Sequence, residues 1–300
     1  MAVQVVGDAV AVPGGGGDLG RSRGRALRSL LRNPMGVVGS VLLLVVVAVA
    51  VLAPVLAPYP PTEVHFATPF QRVGTEGFWL GTDDLGRDVM SRVFYGTRAS
   101  LQVGLLSVAL AIVLGTPLGL LSGYWNWLDA VVSRLTDLML AFPFLIIAVG
   151  LAAINGASLT NAAIALGVAQ IPTMIRVVRA ETLRWREADF IGAARALDAS
   201  DVRIMGQHIL PNTASAIIVQ ATVIMPVAII GEATLSFLGL GIVPPAPSLG
   251  IMLSDAQQYI FRSPAAAVIP GVAIAVICLA FNFFGDALRD ALDPTTSSKD

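Results

Sequence analysis

Charged residues fall in clusters along this chain, and the stretches between the clusters are filled with unbroken apolar runs. A helix needs about 20 apolar residues to cross the ~30 Å hydrocarbon layer of a bilayer, so the gaps between charges mark candidate spans. No charge occurs between Arg32 and Glu63, and that gap holds Gly36–Leu56, rich in Val and Leu. The run is continuous rather than alternating, which suits a helix and not a barrel strand. A second gap, between Arg98 and Asp129, holds Leu101–Leu121. The third, from Asp137 to Arg176, is too long for one span. Its Asn155-Gly156 turn pair divides it into Val131–Ala153 and Leu159–Ile175. Ala214–Ala233 and Ala265–Phe284 complete the set. Pro143 and Pro172 interrupt spans three and four, where they can kink the helices. The pattern predicts an all-α membrane protein with six transmembrane helices.

Arginine placement orients it. Arg21, Arg23, Arg25, Arg28 and Arg32 precede span one. Arg176, Arg179, Arg184, Arg186, Arg195 and Arg203 lie between spans four and five. Six crossings put both regions and the C-terminus on one side, the cytoplasm, so the expected topology is N-in, C-in. The division that follows is a mobile cytoplasmic tail over 1–32, a first transmembrane helix over 33–57 and an extracytoplasmic segment over 58–97. A core of five helices covers 98–285, with a cytoplasmic loop at 187–212, and a cytoplasmic tail covers 286–300. The apolar core of span one is longer than a signal-peptide h-region and starts only after a long polar tail, so cleavage is not expected.

Composition agrees and removes several function classes. Of 300 residues, 55% are hydrophobic and 13% charged, against about 25% charged in soluble proteins, and the mean hydropathy is +0.77. A net charge of −1 offers no basic face to nucleic acid. The single cysteine, Cys278, cannot form an intrachain disulfide. The sole lysine, Lys299, follows no phosphate-cradling glycine loop, so the chain does not bind ATP through a Walker A motif. His65 and His208, the two histidines, stand in no cluster at metal-ligand spacing. Neither catalysis nor a metal site is expected.

Polar residues in or beside the spans are candidates for a translocation path: Gln170, Gln220, Glu232 and Asn282. Each also has a structural reading. Glu232 can be a helix-end carboxylate paired with Arg87 or Arg92, and the other three can serve helix packing. Arg134 and Asp137 are spaced to pair with each other, and Trp125, Trp127 and Trp185 fit an interfacial belt. The acidic run Thr82–Asp88 lacks the alternating ligands of a calcium loop. Asp84 or Asp88 is instead expected to cap a helix that begins near Arg87 at the outer surface, before span two. Asp83, Asp84, Arg87 and Asp88 are the candidates for an extracytoplasmic gate or docking surface.

The segment Glu187–Asn212 carries most information. Phe190, Ala193, Ala194 and Leu197 recur at i, i+3, i+4 and i+7, one apolar helix face with small residues at its centre. A turn is expected at Asp198, a second short helix capped by Ser200 with Asp201 in its first turn, a stripe of Val202, Met205 and Ile209, and a stop at Pro211. Asn212 or Thr213 then opens span five. Alone, such a hairpin reads equally well as an interfacial element folded back onto headgroups.

Ala193-Ala194, the turn at Asp198 and Leu210-Pro211 together resemble the EAA loop of ABC-importer permeases: Ala-Ala, three residues, Gly, nine residues, Ile, one residue, Leu-Pro. The spacing matches, with Gly192 where the pattern has Glu, Asp198 where it has Gly, and His208 where it has Ile. Further stretches resemble the C-type permease of dipeptide/oligopeptide importers. These are Arg32-Asn-Pro-Met-Gly, Leu56-Ala-Pro-Tyr-Pro, Leu80-Gly-Thr-Asp-Asp-Leu-Gly-Arg-Asp-Val-Met-Ser-Arg92, Gly231-Glu-Ala-Thr-Leu-Ser-Phe-Leu-Gly-Leu-Gly241 and Gly285-Asp-Ala-Leu-Arg-Asp-Ala-Leu-Asp-Pro294.

The resemblance implies the type I ABC-importer permease fold in the cytoplasmic (inner) membrane of a prokaryote. It also implies a second homologous permease, two ATP-binding subunits that hold ATP and Mg²⁺, and an extracytoplasmic substrate-binding protein. The 187–212 loop would dock on one ATPase through Glu187, Phe190, Gly192, Ala193, Ala194, Leu197, Asp198, Ser200, Val202, Met205, Ile209, Leu210 and Pro211. Related permeases carry nickel, glutathione or haem instead of peptides, and a proton-coupled secondary carrier is the alternative from another class.

Overall fold

A computed structural model describes residues 33–292, so the tail over 1–32 and the residues from 293 onward, Pro294 among them, lie outside it. Five helices are long and apolar enough to cross a membrane, and one bent pair brings the number to six if it counts as a span. In order, α1 is Pro34–Leu56, α2 Val89–Tyr124, α3 Asn126–Leu140 and α4 Phe144–Asn155. They are followed by α5 Leu159–Arg186, the short α6 Asp189–Ala196 and α7 Asp201–Arg203. A wide π-turn over Ile204–Ile209 leads into α8 Leu210–Phe237, then α9 Leu249–Gln257 and α10 Ala265–Leu292. Among the described residues there is no strand, only two isolated bridges in the segment before α2.

Local chemistry sets several boundaries. Asn33 accepts a bond from the Met35 amide and Pro34 supplies the first turn of α1. Asp88 caps α2, as its position in the acidic run suggested, accepting from the Ser91 amide at 2.7 Å and the Ser91 hydroxyl at 2.6 Å. The separate outer helix expected before span two is not separate. It is the first turns of α2, whose 36 residues extend about 54 Å, well beyond the hydrocarbon layer.

Span three is a correction of larger scale. It is not one helix over Val131–Ala153: α3 and α4 meet at 88°. Pro143 has no amide to continue the α3 ladder and disfavours helical geometry at the residue before it, and here the helix breaks. Pro172, by contrast, sits inside an unbroken α5.

The centre of the bundle is the α2–α5 contact. Gly115, Gly119 and Gly123 of α2 face Met174, Val178 and Thr182 of α5, both sets spaced by four residues. A Cβ at these glycines would stand 2.7, 2.7 and 2.5 Å from the facing Cβ atoms. The helices therefore approach backbone to side chain, the small-residue packing that stabilises helix pairs in lipid. Two ion pairs fasten α3 to α5: Asp129 with Arg179, and Asp137 with Arg176 at 3.1 Å. The expected Arg134–Asp137 pair does not form, because Arg176 takes the Asp137 carboxylate. Trp127 projects outward from α3, while Trp125 and Trp185 pack partly against the core.

Candidate functional site

The segment between α5 and α8 is anchored by buried side chains in α6 and in the π-turn. In α6, Ile191 is fully enclosed, and beyond the turn Ile204 and Ile209 are as well. Ala194 packs partly against the same core. The opposite face of α6, Phe190, Gly192 and Ala193, is exposed, as is Leu197 at its end. The expected stripe of Phe190, Ala193, Ala194 and Leu197 thus divides: Ala194 turns inward beside Ile191 and the other three remain outward. The second stripe divides too, with Met205 and Ile209 buried and Val202 74% exposed.

Asp198 makes the turn in the left-handed region, φ 56°. Its amide donates to the Arg195 carbonyl at 3.0 Å and the Ala199 amide to the Ala194 carbonyl at 3.1 Å, the two bonds of a Schellman ending. Asp tolerates this conformation at a higher cost than Gly. Ser200 stands at the cap of the next helix, but its hydroxyl makes no capping bond. Asp201 does the anchoring instead. Its Oδ1 accepts from the Tyr124 hydroxyl at 2.6 Å and its Oδ2 from the Trp125 indole at 3.4 Å. The Arg195 guanidinium lies 5.6 Å from the centre of the Tyr124 ring, so the end of α2 holds both short helices. From the α5 side, Arg186 Nη1 donates to the Gly123 and Tyr124 carbonyls at 3.3 and 3.1 Å and to Asn126 at 3.1 Å. A cation there satisfies carbonyls left open at the C-terminus of α2. Glu187 is exposed and, among the described residues, pairs only with neighbouring Arg186, at 3.2 Å.

Pro211 does not stop the second helix, and span five does not open at Asn212 or Thr213. The chain runs from Asp201 to Phe237 as one continuous span. A proline ring in a regular helix collides with the carbonyl four residues earlier, and the π-turn over Ile204–Ile209 widens the helix where that carbonyl, of Gln207, lies. The loop is therefore continuous with α8.

At the opposite end of the bundle, Asp83 is the hub of a charge cluster. Its Oδ2 accepts from Arg87 Nε at 2.6 Å and Arg92 Nη1 at 2.8 Å. Its Oδ1 accepts from the Leu85 and Arg87 amides. Arg87 reaches Asp84 at 3.5 Å and Asp255 of α9 at 3.6 Å, and Arg92 reaches Asp255 at 3.7 Å. The Tyr259 hydroxyl donates to Asp84 at 3.2 Å. Burial pushes the Asp255 carboxyl above its ordinary range, opposed by Arg92 and Arg87. Gly86, at φ +76°, brings the backbone so close to the His65 carbonyl that a Cβ would stand 2.0 Å from it.

Comparisons with known proteins fit this arrangement. A family model described as "Binding-protein-dependent transport system inner membrane component" matches residues 115–298. A second, "N-terminal TM domain of oligopeptide transport permease C", matches residues 23–72. The dipeptide transport system permease protein DppC of Alkalihalophilus pseudofirmus is 43% identical over 274 residues, covering 91% of this chain and 90% of the relative. The chain belongs to the inner-membrane permease family of binding-protein-dependent ABC importers. The glutathione transport system permease protein GsiD of Pectobacterium atrosepticum is 39% identical over 272 residues, covering 90% of each chain. In a solved inward-facing MetNI methionine ABC transporter, one chain matches with a TM-score of 0.57 and 21% identity, over 68% of this chain and 97% of that one. That likeness is one of fold. The protein is thus a multi-pass inner-membrane permease, the membrane component of the importer and not its ATPase.

Within this permease the candidate path residues lie apart. Gln170 is buried in α5, where its Oε1 accepts from Thr173 at 3.1 Å. Gln220 is half-buried on α8 and Asn282 exposed on α10. Glu232 is neither helix-end nor arginine-paired. It is fully buried in α8 and accepts from the hydroxyls of Ser100, Ser236 and Ser248 at 2.7, 2.8 and 2.7 Å. Arg87 and Arg92 are taken up by Asp83, Asp84 and Asp255. Ser236 and Ser248 sit at the two ends of the loop joining α8 to α9, so Glu232 fastens that loop to α2.

Proposed function

We propose that this permease translocates di- or oligopeptides with a second, homologous permease, and that the 187–212 loop receives the driving motion from an ATP-binding subunit. The peptide reading rests on 43% identity to a dipeptide permease over nine-tenths of the chain. Glutathione is the second cargo to weigh, because a glutathione permease is 39% identical. Two ATP-binding subunits would hold ATP and Mg²⁺, and a substrate-binding protein would deliver cargo at the face carrying residues 58–88. The arginines of the 176–203 region favour a cytoplasmic loop, which with six crossings corresponds to N-in, C-in.

The observation that carries the coupling reading is the exposed apolar face of Phe190, Ala193, Leu197 and Val202 on a loop otherwise locked to the bundle. Leu197 is 84% exposed, and an apolar helix face of this size fits a hydrophobic groove on a partner. Because Ile191, Ile204 and Asp201 tie the loop to α2 and α8, a push on it moves the spans as rigid bodies. At the other face, the Asp83–Arg87–Arg92–Asp255 cluster serves as a gate element that holds the outer segment and α9 on α2.

Ala193→Asp and Leu197→Asp place a charge in the docking face without touching the buried anchors. Both should leave the chain in the membrane and lower labelled-peptide uptake by about tenfold or more. Uptake at the unaltered rate would reject coupling through this face. Competition by dipeptides against glutathione in a strain lacking the native permease decides the cargo.

A further inference from the structure

A groove of about 650 Å³ runs between α1, α2, α8 and α10. Its floor is apolar, with Val51, Leu105, Ile218, Met225 and Phe284 among its lining, and among the described residues its one charged lining residue is Arg98. We propose that it seats a membrane phospholipid, with the phosphate on Arg98 and one acyl chain along the floor. This goes beyond the transport reading and does not depend on it.

Depth makes the arginine unusual. The chain leaves α1 at Leu56, and the Tyr59 amide then bonds to the Ser91 hydroxyl at 3.2 Å. The end of the 23-residue α1 therefore stands near the level of Ser91. Arg98 lies seven residues further along α2, about 10 Å deeper. Among the described residues it has neither ion pair nor hydrogen bond, whereas Arg87, Arg92, Arg176, Arg179 and Arg186 are all paired. A cation at such depth is costly unless it reaches an anion or the interface.

Direction supplies the anion. Helical side chains lean toward the N-terminus of their helix, and the N-terminus of α2 lies at the end carrying residues 58–88. The Arg98 side chain therefore reaches back toward that interface, where lipid phosphates lie. Gln102, one turn deeper in the same groove, offers an amide to the glycerol esters. The groove opens sideways: Leu105 is 65% exposed, and α1 and α10 are the two least enclosed spans. The opening lies along spans apolar enough to sit in a bilayer, which favours an acyl chain over a peptide carboxylate.

The test uses the full chain with its accompanying subunits, reconstituted in phosphatidylethanolamine–phosphatidylglycerol nanodiscs and re-extracted in mild detergent. Retained phospholipid per complex is measured by mass spectrometry. Arg98→Gln should weaken retention at one site by about fivefold, and Arg98→Lys should keep most of it. A photo-cross-linking residue in place of Leu105, with Arg98 intact, should yield a phospholipid adduct. Equal retention in Arg98→Gln overturns the proposal. So does a Leu105 cross-link to a polypeptide, or no lipid adduct at all, and the adduct decides the matter alone if Arg98→Gln fails to assemble.

Discussion

At the scale of single residues, two positions show how closely backbone geometry and function are joined. Gly119 sits where a Cβ would stand 2.7 Å from the Val178 Cβ. Gly119→Ala should destabilise the solubilised complex by about 1–3 kcal/mol, seen as a lower melting temperature, and an unchanged melting curve would show that α2 and α5 do not pack this tightly. Gly115, Gly119 and Gly123 recur every four residues in the sequence, a signal the sequence reading missed, and the structure supplied both the contact and its facing residues. Asp198 is the converse case. Its left-handed turn was legible from the family spacing, and the two bonds of the Schellman ending complete it. Asp198→Gly removes the steric cost of that conformation and should raise stability by up to about 1 kcal/mol with uptake retained. A loss of stability would mean that the aspartate side chain, not the turn, is what matters there.

Among elements, the loop between α5 and α8 was visible as a hairpin of two amphipathic helices, but its attachment was not. The sequence marks Phe190, Ala193 and Leu197 as apolar at helical spacing and cannot say which neighbours they meet. Ile191 lies between those positions and is the one fully buried residue of α6. Tyr124 is 77 residues from Asp201, and no local pattern announces a bond over that separation. Pro211 misled for a physical reason: a π-turn accommodates the ring, so the expected stop is absent. Pro143 was underestimated, since a kink was expected and a break occurs. If Tyr124 holds the loop, Tyr124→Phe should cost about 1–2 kcal/mol and make the Asp198 region more sensitive to limited proteolysis, with Asp201→Asn intermediate. Identical cleavage rates would contradict that role.

For the whole molecule, counting charges against bilayer thickness located every long helix. It shortened most of them, because helices run past the hydrocarbon layer: α2 begins at Val89, not Leu101, and α10 runs on to Leu292. The charged residues at the two ends divide by task. Those near Asp83 close upon themselves, with Arg92 almost wholly buried, while the loop at the other end leaves an apolar face open. That asymmetry is what a permease needs if it is held shut at one face and driven from the other. If coupling runs through the 187–212 loop, that loop faces the cytoplasm and docks on an ATP-binding subunit. With Cys278 replaced by serine, Leu197→Cys should resist a membrane-impermeant thiol reagent applied to intact cells and cross-link to the ATP-binding subunit in isolated membranes, more or less strongly as nucleotide is varied. Labelling of Leu197→Cys from outside, or no cross-link to that subunit in any nucleotide state, would contradict it.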